Sequence, residues 1–127
     1  MAPQPDRAPR APGDLPETTQ EPTAPDDFTV AYALGLIVGE GSFTGTKGRP
    51  CLAVKLHAAD PEPLAHLRYL FGGTIYGPYA GRTCHYLVWI LRGPALRRAL
   101  PLLMRLPPSR KREQFWLWYF RHRLGRH

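Results

Sequence analysis

Ala31-Tyr32-Ala33-Leu34-Gly35-Leu36-Ile37-Val38-Gly39-Glu40-Gly41-Ser42-Phe43 is the stretch on which the reading of this chain turns. Its first ten residues, free of proline, read as a helix with Leu34, Leu36 and Ile37 as apolar material. Yet Gly35 and Gly39 stand four apart, on one helical face. Each interior glycine costs a helix about 1 kcal/mol relative to alanine. Two on one face fit the close approach of another backbone. Glu40 then ends the helix at the negative pole of its dipole, where a carboxylate is disfavoured by about 0.3–1 kcal/mol. Gly41 follows as a helix stop. Local penalties gathered in this way tend to mark functional sites. The plain alternative is a small-residue packing face with an incidental acid at its end.

Downstream the period changes from helix to strand. Gly41 to Lys47 reads as a strand with Phe43 toward the core and Ser42, Thr44 and Thr46 on the other face. Lys47-Gly48-Arg49-Pro50 reads as a turn. Cys51 to His57 reads as a second strand, in which Leu52, Val54 and Leu56 alternate with Cys51, Ala53, Lys55 and His57. A helix is expected next, capped by Asp60, with Pro61 in its first turn. Leu64, Leu67, Tyr69, Leu70 and Phe71 form its apolar side, and Gly72-Gly73 ends it. Thr74–Tyr76 is a third strand, 77–81 a loop, and Arg82–Leu91 a fourth strand with two rather apolar faces, so its facing stays open. A helix opens at Pro94, with a kink or restart expected at Pro101. A last helix opens at Ser109 and carries Phe115-Trp116-Leu117-Trp118-Tyr119-Phe120, an aromatic run expected to be largely buried. That run is read as core rather than as a platform for stacking bases.

Charge points to the partner. Residues 1–27 hold seven prolines, six acids and two bases, with Leu15 the only large apolar residue after Met1. Such a stretch cannot offset its ordering entropy and reads as a disordered, acidic tail. It lacks the apolar run of a signal peptide, and no stretch of the chain is long and apolar enough to span a membrane. The chain as a whole is +7, so residues 28–127 carry +11, with Glu40, Asp60, Glu62 and Glu113 as their only acids. That excess suits a polyanion, with nucleic acid ahead of a membrane surface. Residues 28–127 are read as one domain. The two cysteines, Cys51 and Cys84, form no C-x-x-C, and with His57 and His85 they make no zinc-like spacing. An intracellular setting, cytoplasm or organelle matrix, is compatible with this cysteine usage.

The stretch from Ala33 to Phe43 resembles the signature of the LAGLIDADG homing endonucleases, often seen as L-A-G-L-I-D-G-E-G-S-F. It departs in having Ala33-Leu34 for Leu-Ala, and Val38 where an acid is common. The order of elements, the Asp60 and Gly72-Gly73 positions, and the basic-then-aromatic run from Lys111 through Phe115-Trp116 also match the family. The resemblance covers roughly residues 28–120. It implies an α+β fold of order αββαββα plus a final helix, with a four-stranded antiparallel saddle for double-stranded DNA. A single signature implies a homodimer, with Leu34, Gly35, Val38 and Gly39 at the interface. Glu40 and the Gly39 carbonyl are then expected to hold Mg²⁺ or another divalent cation, with Lys111 as the catalytic cation and Arg110 its fallback. The expected DNA-binding residues are Thr44, Thr46, Lys47, Arg49, Lys55, His57, Tyr76, Arg82 and His85.

The reaction implied is metal-dependent hydrolysis of a phosphodiester on each strand of a long, roughly palindromic site. The element served would be a mobile intron, an intein or a free-standing gene. Some members carry a Gln after the second strand, and near Ala58 this chain has none. Together with Val38 this leaves a second reading open, a non-cleaving relative acting as an RNA-splicing maturase or a DNA-binding regulator.

Overall fold

The computed structural model describes residues 25–125; the expected tail lies almost wholly outside them. The first helix, α1 (Asp27–Glu40), begins where Asp26 accepts a 2.7 Å bond from the Thr29 N–H. This side-chain cap starts the ordered helix just before residue 28. Strands β1 (Gly41–Thr46) and β2 (Arg49–His57) follow, joined by the two residues Lys47 and Gly48. Gly48 has a φ of +76°, as a tight hairpin turn requires. Arg49 and Pro50 therefore belong to the strand, not to the turn.

The helix α2 (Glu62–Phe71) differs from expectation at its start. Pro61, not Asp60, stands at its N-cap, with no side-chain bond. His57 has taken over the turn: its carbonyl accepts from the Asp60 N–H at 3.0 Å and its Nδ1 from the Ala59 N–H at 3.0 Å. At the far end Gly73 has φ +91°, and a Cβ there would lie 2.7 Å from the Ile90 carbonyl and 2.8 Å from Trp89 Nε1. Trp89 Nε1 donates to the Gly72 carbonyl at 2.8 Å. The glycine pair thus stops α2 and admits a core tryptophan against the backbone.

Strand β3 (Thr74–Ala80) runs past the expected loop, with an irregularity between Tyr76 and Tyr79 that accommodates Pro78. Such a proline is tolerated because β3 is an edge strand. Strand β4 (His85–Arg92) starts later than expected, because Gly81 N–H bonds the Cys84 carbonyl at 2.8 Å and closes a turn through Arg82 and Thr83. Helix α3 (Gly93–Leu103) passes through Pro101 without a restart, since the proline sits in its last turn. Helix α4 (Arg110–Arg121) is capped by Ser109, whose hydroxyl accepts from the Arg112 N–H.

All four strands pair antiparallel in the order β1-β2-β4-β3. Leu52 and Val54 of β2 and Trp89 and Leu91 of β4 are fully buried beneath the helices. This settles the facing of β4: its odd-numbered residues enter the core, and Tyr86, Val88 and Ile90 turn to the open face. The core is completed by Val30, Ala33, Leu34 and Ile37 of α1, Leu64, Leu67 and Phe71 of α2, Leu96, Ala99, Leu100 and Leu103 of α3, and Phe115 and Trp118 of α4. Two expectations fail here. Tyr69 is 85% exposed, and on α4 Leu117 and Phe120 are 66% and 68% exposed. Helical rotation carries all three away from the sheet, so α4 buries only one side of its aromatic run.

Candidate nuclease centre and nucleic-acid interface

The site begins with the two faces of α1. Val30, Ala33, Leu34 and Ile37 point into the protomer. On the opposite side lie Phe28, which is 80% exposed, Ala31, Tyr32, Gly35 and Gly39. A Cβ added at Gly35 or Gly39 would meet nothing within 4 Å. Among the described residues the glycines therefore serve no contact. Both faces of the helix are apolar, and the described residues cover only one. Leu34, expected at a dimer interface, is corrected by this geometry: it is 5% exposed and belongs to the core. Val38 is half-buried at the border, packed against the core. Phe28, Ala31 and Tyr32, not Leu34, share the exposed side of α1 with Gly35 and Gly39. Their spacing from Gly35, three, four and seven residues, was the signal in the sequence.

Glu40 is the last residue of α1 and is exposed, as is Gly39. The last carbonyls of a helix lack intrahelical donors. One of them, on Ile37, is bonded by the Gly41 N–H. Lys111 is brought to the same place from seventy residues away: its Nζ donates to the Gly41 carbonyl at 2.6 Å. Trp118 Nε1 donates to the Thr44 carbonyl at 2.8 Å. Two side chains of α4 thus bond carbonyls of the edge strand β1 and seat a cation beside the residue that follows Glu40. Arg110 is exposed and has no such bond among the described residues.

The open face of the sheet holds most of the residues expected to contact DNA, with changes of position. In register, the open-face pairs are Thr44↔Cys51↔Arg92, Ser42↔Ala53↔Ile90↔Thr74, Lys55↔Val88↔Tyr76 and His57↔Tyr86↔Tyr79. Thr46 and Arg49 pair at the hairpin end, beside the exposed Lys47. His85 is the correction: its parity is that of Leu87, Trp89 and Leu91, so it does not share the open face. Arg82 lies in the turn before β4 rather than in the strand, yet it lines a hollow of about 250 Å³ with Lys55, His57, Cys84 and Tyr86. Lys55 Nζ sits 4.5 Å above the Tyr86 ring, an orientation stabilised by the ring's quadrupole. Tyr79, Tyr86 and Arg92 were missed. Arg92 continues the even-numbered series of β4, and its guanidinium donates to the Tyr76 hydroxyl at 3.3 Å. No strand contains an acid. The open face therefore carries bases and aromatic rings but no acid, with Glu40 at one end.

No protein-family model matches this sequence, and no curated protein sequence matches it. Solved structures do. The crystal structure of the homing endonuclease I-TnaI superposes with a TM-score of 0.62 at 19% identity, over 72% of this chain and 69% of that one. An archaeal intron-encoded homing endonuclease complexed with DNA gives 0.56 at 24% identity, over 74% of this chain and 66% of its own. The LAGLIDADG meganuclease I-CpaMI, bound to uncleaved DNA, gives 0.57 at 18% identity, over 72% of this chain and only 34% of its own. The chain thus spans about two thirds of two of these neighbours and about a third of the third. Among the described residues no helix is long and apolar enough to cross a membrane. With four helices on one side of a β1-β2-β4-β3 antiparallel sheet and these structures superposed on it, the chain has the fold of the LAGLIDADG homing endonucleases.

Proposed function

We propose that the chain is a site-specific DNA endonuclease that acts as a homodimer on a long, near-palindromic double-stranded site. The observation that carries this reading is the C-terminal end of α1, where an exposed Glu40 terminates a helix whose glycine face is open. A second copy packed backbone to backbone on Gly35 and Gly39 brings its own Glu40 beside the first. Two adjacent carboxylates repel unless a cation lies between them.

The donors present suit a hard divalent cation such as Mg²⁺. They are an exposed carboxylate and helix-terminal carbonyls, including that of Gly39, at the negative end of a dipole. Among the described residues no three His, Cys, Asp or Glu side chains gather. One copy therefore offers few ligands, as expected where phosphate and water complete the shell of Mg²⁺. The cation would polarise the scissile phosphate and lower the pKa of an attacking water. The chain's own residues do the rest. Glu40 holds the charge in place. Lys111, fixed by the Gly41 carbonyl, presents an ammonium to the charge that develops on the phosphate. Thr44, Thr46, Arg49, Lys55, His57, Tyr76 and Arg92 face the major groove, while Lys47 and Arg82 reach its borders. In this reading the natural role is the spread of a mobile intron, an intein or a free-standing element.

The rival, a non-cleaving maturase or regulator, rests on Val38 and on the missing Gln near Ala58. The exposed Glu40, retained at a costly position, favours the nuclease. The test is cleavage of a randomised duplex library with Mg²⁺, run beside Glu40→Gln. Staggered cuts at one long site, lost in the variant while binding persists, are expected. Salt-sensitive binding with no cutting by either protein would favour the rival.

A further inference from the structure

We infer that the outer end of the sheet holds a second anion site, separate from the Glu40 centre, that seats a phosphate group. A cavity of about 530 Å³ opens there, lined by Arg49 and Cys51 of β2, Arg92 of β4, and Gly93, Leu96 and Arg97 of α3, among others. Arginines from three segments line one hollow, and among the described residues none of its lining residues is an acid. Among the described residues none of the three is ion-paired, since the ion pair found there is Arg105 with Asp27. Gathering like charges without a counter-ion is unfavourable. Neutral acceptors cancel no charge: Arg97 Nη1 donates to the carbonyl of Leu124, itself a lining residue, at 3.3 Å, while Arg92, at the cavity's border with the open face, donates through Nη2 to the Tyr76 hydroxyl. A planar guanidinium matches phosphate oxygens in paired hydrogen bonds. The first turn of α3, which borders the cavity, holds no acid.

The hollow exceeds a bare phosphate in size and has room for the group that carries it. Its place distinguishes it from the Glu40 centre. Gly41 pairs with Val54, whereas Thr46 pairs with Arg49, five residues further along β1. At strand spacing that is about 17 Å. The carrier is either the backbone of a bound nucleic acid, in line with the function proposed above, or a free phosphorylated small molecule. Both present the same chemistry.

Cys51 in the cavity wall provides the readout. In the full chain carrying Cys84→Ser, Cys51 is the only thiol, and its alkylation by neutral iodoacetamide is followed by intact mass without divalent metal. Pyrophosphate, inorganic phosphate and a DNA duplex are each compared with chloride at equal ionic strength. Pyrophosphate is expected to slow alkylation several-fold. Arg97→Gln, and separately Arg92→Gln, are expected to abolish that protection with unchanged thermal melting. Protection by the duplex as well, lost in Arg97→Gln, which lies outside the groove-facing set, assigns the carrier to nucleic acid; protection by the anions alone assigns it to a small molecule. Equal rates under all three additions overturn the inference. So does protection that survives both arginine substitutions. Because the anion arms need neither DNA nor Glu40, they give the same answer in Glu40→Gln and whether or not the chain cuts.

Discussion

Gly35→Ala separates the two roles a helix glycine can play. In one copy, a Cβ at this position touches nothing within 4 Å. The substitution should therefore act on the isolated protomer through helix propensity alone, stabilising it by about 1 kcal/mol. If a second copy packs its own α1 backbone here, the same methyl group overfills the contact. Overpacking of a close interface costs about 1–3 kcal/mol, which weakens self-association roughly 5- to 150-fold. The effects have opposite signs, so one substitution tests both. Urea unfolding at concentrations where the chain is monomeric reads the first. Sedimentation equilibrium over a dilution series reads the second, with DNA binding measured in parallel. Gly35→Leu should show the association loss more strongly. A variant that is more stable yet self-associates and binds DNA as tightly as the parent would refute the interface. It would mean that Gly35 and Gly39 face solvent.

Three further outcomes follow from the site and its supports. Lys111→Met removes the ammonium bonded to the Gly41 carbonyl and should abolish cleavage in a gel assay while DNA binding falls little; the lost charged hydrogen bond should cost about 1.5–3 kcal/mol in urea melts. Trp118→Phe retains an aromatic ring in the core but orphans the Thr44 carbonyl, at a cost of about 1–3 kcal/mol in the same assay. Bonds from the backbone and side chain of Thr29 hold the Asp26 carboxyl below its ordinary pKa, so its capping contribution is fully present above the ordinary aspartate range, near pH 4, and is lost as pH falls through the lowered native value. Relative to Asp26→Asn, whose cap does not titrate, the parent's unfolding midpoint should decline as pH drops below about 4 and should hold constant above it.

Much of the fold was legible because its signals are local. The alternation of Leu52, Val54 and Leu56, the turn opening at Lys47-Gly48 (expected to run to Pro50) and the Gly72-Gly73 stop each depend on a few neighbouring residues. Errors arose where a competing turn or the packing of an element against its neighbours decides. His57 displaced Asp60 from the expected cap through its own turn. Tyr69, Leu117 and Phe120 are apolar by type and exposed by helical rotation. In β4 both faces are apolar, so alternation alone does not say which enters the core. Leu34 illustrates the same limit. A helix that is apolar all round has no single buried side until its neighbours are known.

By itself, then, the sequence determined the order of elements, the open-faced glycine helix, the acid at its end and the basic charge of the folded part. These follow from backbone propensity, side-chain period and composition, which act within a few residues. Only the tertiary structure decided that Lys111 and Trp118 bond the carbonyls of β1, that Arg92 joins the open face and His85 leaves it, and that Arg49, Arg92 and Arg97 share one cavity. Those relations join residues up to seventy-four positions apart. They are fixed by strand register and by the packing of helices on a sheet, to which no local pattern is sensitive.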